Sequence, residues 1–116
     1  MTRMIALYTN RPGARFDHDY YLNRHVPTVA ERLKPYGLIH AAVNRGVGGA
    51  EPGAPAAFLI VATLDFESAE SLQQGMAAHG AEILGDIPNY TDIEPIIQVS
   101  EVVAQVGGAA ASTGNS

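Results

Sequence analysis

The segment AAFLIVATLDF, Ala56–Phe66, constrains this chain more than any other, because it is apolar on both sides of one strand. Phe58, Ile60, Ala62 and Leu64 alternate to one side, and Leu59 and Val61 to the other. Such a strand needs cover on both faces of its sheet. The last apolar segment, IEPIIQVSEVVAQ, Ile93–Gln105, behaves alike: Ile93, Ile97, Val99 and Val103 fall on one side, Ile96 and Val102 on the other. A chain of 116 residues is one domain in length. It offers only two helical segments, too few to cover both faces.

The remaining elements set the topology. RMIALYT, Arg3–Thr9, is a short apolar strand followed by the turn NRPG. Asp17 then offers an N-cap, with Phe16 and Tyr21 placed as a hydrophobic staple. Leu22, Val26, Val29, Leu33 and Tyr36 recur at helical spacing and form the expected buried stripe, which Pro35 and Gly37 close. LIHAAVNRG, Leu38–Gly46, is a second strand, and the Gly/Pro-rich VGGAEPGAP a loop. A second helix starts at the N-cap Ser68 and carries Ala69, Leu72, Met76 and Ile83 inward. Strand, helix, strand, strand, helix, strand predicts an α+β fold of the ferredoxin-like βαββαβ kind, a four-stranded antiparallel sheet with both helices on one face. The bare face predicts a homodimer, sheet against sheet. Residues 1–105 are expected to form this domain and 106–116 a flexible, small-residue tail.

Composition excludes several classes of function. The net charge is −5 with no basic stripe, so neither nucleic acid nor an anionic membrane is an expected partner. There is no cysteine, hence no disulfide, thiolate nucleophile or thiolate metal site. No apolar run approaches the roughly 18 residues of a membrane helix, and the first residues do not read as a signal peptide. A cytoplasmic protein is the expectation. The histidines lack the spacing of a zinc motif, and the glycines lack that of a phosphate loop, so no metal and no cofactor are expected.

Candidate chemistry centres on His25. It lies beside the apolar stripe, two residues before Pro27, and Pro27 cannot donate to the Asn23 carbonyl. A proline there either opens local space or starts a second helical segment. His25 is accordingly either an acid or base facing a cleft or a histidine satisfied in the core. His79 falls three residues after Met76 and faces inward if the second helix persists through Gly80. Asp86 and Tyr90 follow and could orient an imidazole. Tyr8, Tyr21 and His40 are further candidates to contact a ligand; Tyr20 is assigned to the surface or to the dimer seam, and His18 to solvent.

Three stretches together carry a family likeness. YTNRPGARFDHDYYLNRHVPTV holds a strand ending in tyrosine, a Pro-Gly turn, Phe-Asp, an aromatic pair and His-x-Pro. HGAEILGDIPNYTDIEPIIQVSEV supplies a second signature, and Arg45–Gly46 closes the strand between them. Over roughly Arg3 to Val103 the chain resembles the EthD family, named for ethyl tert-butyl ether degradation. The resemblance implies a ferredoxin-like fold paired into a dimeric α+β barrel. Similar barrels include cofactor-independent monooxygenases, muconolactone-type isomerases, polyketide cyclases and haem-degrading enzymes. The implied function is therefore a small protein binding a hydrophobic, oxygen-bearing metabolite, either an oxidoreductase of the monooxygenase type or an isomerase. In the catalytic set of His25, His79 and Asp86, His25 would move a proton and His79 with Asp86 would complete the polar end, while Tyr21, Tyr8, Tyr90 and His40 would bind substrate. The alternative is a non-catalytic carrier or an accessory to a monooxygenase system.

Overall fold

The structure is a computed structural model that describes residues 1–107. Of the tail expected at 106–116, residues 108–116 lie outside this description. Strand β1 (Thr2–Thr9) is central and pairs antiparallel with both β3 (Phe58–Phe66) and β4 (Ile96–Glu101). Strand β2 (Leu38–Arg45) pairs antiparallel with β3, giving the order β2-β3-β1-β4. This is the antiparallel ferredoxin-like arrangement read from the element order. Strand β4 is shorter than the Ile93–Gln105 expected, because Pro95 cannot donate to a ladder and ends the pairing before Ile96.

The first helical segment is three pieces in series: α1 (His18–Tyr20), one π-helical turn (Tyr21–His25) and α2 (Val26–Leu33). Asp17 caps it by accepting from the Tyr20 amide, and Phe16 packs edge-on against Tyr21 at 5.2 Å, as the staple predicts. The π turn explains a departure from the expected stripe. Val26 N–H bonds the carbonyl of Tyr21, five residues back, so the helix is locally wider before Pro27. That rotates Leu22 outward to 41% exposure and buries Tyr21 and His25 in its place. From Val26 onward the stripe resumes with Val29 and Leu33, both buried. A 3-10 turn, Lys34–Tyr36, leads to Gly37, whose φ of 86° is a left-handed value that glycine adopts without strain.

Helix α3 (Ala69–Gly85) is continuous through Gly75 and Gly80, with Ser68 accepting from the Ser71 amide at its start. Gly75 is where α3 meets the first helical segment: a Cβ there would stand 3.0 Å from Leu33 Cδ2 and 3.2 Å from Tyr36 Cβ. One core cluster joins Met4, Phe66, Val29, Leu33, Leu72 and Ile83 between sheet and helices. A second joins Tyr8, Tyr21, Ile60, Tyr90 and Ile93 at the other end. Among the described residues, no helix is long and apolar enough to cross a membrane.

Candidate functional site

The sheet creates the site by leaving a floor of small side chains. Register places Val43, Ala62, Ala6 and Ile97 in one row across all four strands on the helix side. The two central positions are alanines, and above them a cavity of about 280 Å³ opens between sheet and helices. Its walls include Met4, Val29, Leu64, Met76 and Ile83. Its polar side is formed by Tyr8, Tyr21 and His25, the last delivered to the wall by the π turn.

His25 is 7% exposed and has defined partners on both ring nitrogens. Nδ1 lies 2.9 Å from Asp86 Oδ2. Nε2 lies 3.4 Å from the Tyr90 hydroxyl, which stands 2.6 Å from the Tyr8 hydroxyl. The Tyr21 ring stacks on the imidazole with centroids 5.5 Å apart. Asp86 sits at the C-terminal cap of α3, where a 3-10 turn (Ile87–Asn89) begins. Its Oδ1 accepts from the Tyr20 hydroxyl at 2.7 Å and from Asn89 Nδ2 at 2.8 Å. Burial alone would raise the Asp86 pKa, but hydrogen bonds from Asn89, Tyr20 and His25 outweigh it and hold the carboxyl below its ordinary range. An ionised Asp86 accepts Nδ1–H and so orients the imidazole with Nε2 toward the Tyr90 hydroxyl. Burial pushes the Tyr8, Tyr21 and Tyr90 hydroxyls upward, most of all Tyr90, so all three are neutral donors at pH 7. The arrangement can pass a proton from the cavity wall at Tyr8 through Tyr90 to His25.

The structure thus brings together five of the residues singled out in the sequence: His25, Asp86, Tyr8, Tyr21 and Tyr90. It leaves two apart. His79 is half-buried on α3, edge-on to Tyr36 at 5.6 Å and 3.8 Å from Glu82, and turns toward Tyr36 rather than into the cavity. His40 projects from the opposite face of the sheet, its side chain 66% exposed, 3.7 Å from Asp65, because a β-bulge between Leu38 and His40 resets the strand. Two side chains that the sequence reading left out belong to the cluster. Tyr20 is half-buried, stacked on Tyr90 and bonded to Asp86, and is not left at the surface. Asn89 follows Asp86 by three, the spacing at which side chains meet on a 3-10 turn. His18 is half-buried against Phe16 at 4.7 Å, not solvated. No group of three or more metal-ligating side chains occurs among the described residues.

An antiparallel four-stranded α+β fold of ferredoxin-like topology, with a histidine–carboxylate pair at the wall of an apolar cavity, defines the class of this protein. The EthD domain matches residues 14–94, and the chain belongs to that family. An EthD-like protein from Ralstonia eutropha JMP134 is 45% identical, with a TM-score of 0.83 over 90% of this chain and 94% of that one. An ethyl tert-butyl ether degradation family protein from Bacillus halodurans C-125 is 24% identical, with a TM-score of 0.61 over 87% and 97%. A dimeric ferredoxin-like protein from an uncultured marine organism shares the fold at 12% identity, with a TM-score of 0.61 over 92% and 98%. No curated protein matches the sequence.

Proposed function

We propose that this EthD protein acts as a homodimer that binds a hydrophobic, oxygen-bearing small molecule in the cavity of each protomer and moves a proton on it. His25 is the acid or base. Asp86 fixes its tautomer and stabilises the imidazolium once formed, and Tyr8 and Tyr21 place the ligand oxygen. The observation that carries this reading is the 2.9 Å contact of His25 Nδ1 with an ionised Asp86 at the edge of an apolar chamber. Abstraction of a proton suits an isomerisation. It equally suits formation of a carbanion that reacts with molecular oxygen, the oxidoreductase version of the same site.

The experiment is to identify what co-purifies with the chain by mass spectrometry and then to follow its turnover. His25→Gln is expected to lower the rate by about 10²- to 10⁴-fold, the usual worth of a positioned acid or base. An unchanged rate in a folded variant removes His25 from the chemistry. A second reading, a non-catalytic carrier or monooxygenase accessory, is favoured by one feature: the Tyr8 and Tyr90 hydroxyls already satisfy each other at 2.6 Å. Recovery of the ligand unchanged after prolonged incubation with the wild-type chain would select it.

A further inference from the structure

The charges around the cavity are distributed unevenly. Among the described residues lining it there is no lysine, arginine, aspartate or glutamate. His25 faces it, but His25 is already matched to Asp86, so the pair carries no surplus positive charge for a ligand. Past Leu84, Ile87 and Ile97, shared by both spaces, the cavity adjoins an outer hollow. The charged residues of that hollow are Asp92 and Glu94, both acidic. Asp92 is neutralised by Arg11 at 2.9 Å. Ile97 and Leu84 are 44% and 49% exposed and form an apolar mouth. A second hollow adjoins the cavity through His25, Val29 and Ile83 and carries Arg24 and Arg32 together with Glu82 and Asp86, Arg32 being paired to Glu82 at 3.0 Å; neither arginine lines the cavity. A carboxylate or phosphate ligand would therefore leave water and meet no cation inside. That transfer is unfavourable, and no group in the cavity offsets it.

Size is set elsewhere. Ala6 and Ala62 are direct cross-strand partners at the middle of the floor, flanked by Val43 and Ile97 in the same row. Rows on either side carry larger residues: Met4 with Leu64, and Tyr8 with Ile60. The chamber exists where this one row is small.

We infer that the cavity selects an uncharged ligand with an oxygen at its His25–Tyr8 end, and that Ala6 and Ala62 are the residues that limit its size. This rests on the cavity being the binding site, as proposed above, and does not depend on His25 transferring a proton. Neither alanine touches the histidine–aspartate pair. Each acts on specificity through the volume it leaves open.

The test uses the full chain and two fluorescent probes on the same ring system, 2-naphthol and the slightly larger anion 2-naphthoate, with 2-acetylnaphthalene as the neutral match to 2-naphthoate in size, expected to bind more tightly than the anion. Fluorescence titration is expected to give saturable binding of 2-naphthol, at least about tenfold tighter than that of 2-naphthoate, as the desolvation cost of an unpaired carboxylate requires. Ala62→Leu should weaken 2-naphthol about tenfold or more by filling the floor, with an unaltered circular dichroism spectrum. Ala6→Val carries the same test should Ala62→Leu not fold. Equal or tighter binding of 2-naphthoate overturns the charge selection. Wild-type affinity for 2-naphthol in both folded alanine variants overturns the size limit, and absence of saturable 2-naphthol binding to the wild type overturns both. His25→Gln separates this inference from the proton-transfer reading. A preference for 2-naphthol kept in that variant supports the inference even where turnover experiments dismiss His25 as acid or base. Intact turnover without naphthol binding sinks the inference alone.

Discussion

Asp86 receives donors from three elements: Tyr20 in the first helical turn, His25 at the end of the π turn, and Asn89 in its own 3-10 turn. Burial acts on it most strongly and favours the neutral acid, and the three hydrogen bonds together reverse that preference. Asp65 is held below its ordinary range too, chiefly by the two hydrogen bonds from Arg3 at 2.6 and 3.0 Å. The sign of the linkage follows. A folded pKa below the unfolded value near ~4 adds stability above that value, and the gain is lost as pH falls through the folded pKa. Thermal melts taken from pH 7 downward should therefore be flat to about pH 5 and then fall. Asp86→Asn and Asp65→Asn should each flatten the acid limb; a limb unchanged in both variants would show that other carboxylates govern it. Tyr20→Phe removes one donor and leaves the stacking on Tyr90, so it should cost about 1 kcal/mol at neutral pH and partly flatten the acid limb, because the folded Asp86 pKa moves back toward the unfolded value. An unmoved limb would mean that Tyr20 does not hold Asp86.

The π turn shows how a single proline decides which side chains an element presents. In a regular helix the ring of Pro27 would clash with the Asn23 carbonyl; the wider turn relieves this and carries His25 to the cavity wall. Pro27→Ala restores a donor, and the turn should relax toward α-helix. The expected result is a change in stability within about 1 kcal/mol and a displaced His25, read as a change in the imidazole ¹⁵N shifts where Asp86 now polarises Nδ1. Identical shifts would show that the core, not Pro27, imposes the turn. At the helix crossing, Gly75→Val should destabilise by about 1–3 kcal/mol, since the added atoms meet Leu33 and Tyr36 at 3.0 and 3.2 Å. A melting temperature equal to wild type would mean the two helical segments are free to separate there. These cases also mark what was legible beforehand. Element order, the Asp17 cap, the Phe16–Tyr21 staple and the helix face of β3 follow from spacings of two to four residues, and each was readable. The exposure of Leu22 was not, because one inserted residue per turn rotates everything before Val26. Neither was the place of Tyr20, whose partner Asp86 lies 66 positions away and is reached only through the tertiary fold. His40 was misread because a bulge reverses its side of the strand, which periodicity cannot show, and His79 turns inward on a continuous α3 but meets Tyr36, a neighbour that only the tertiary fold supplies.

At the scale of the whole molecule the sheet has two faces with different duties. The helix face holds the cavity. The other face carries Val61, Leu7 and Ile96 as neighbours in one cross-strand row, with Ile5 beside them in the next. Ile96 is 52% exposed, and among the described residues no helix lies over this side. A contiguous apolar surface in the middle of a small sheet is an association site by default, and a twofold pairing covers it on both copies at once. The arrangement predicts that the wild-type chain sediments as a dimer at micromolar concentration. Val61→Lys sets two like charges near the symmetry axis and should give monomers with reduced stability. A wild-type monomer at that concentration would end the argument. The same register separates the two duties. Val61 points away from the row of Ala6 and Ala62, so a folded Val61→Lys monomer should still bind 2-naphthol with near wild-type affinity. If breaking the dimer abolishes binding in a folded chain, the chamber is completed by the partner, and the apolar mouth at Leu84 and Ile97 is where that completion would have to occur.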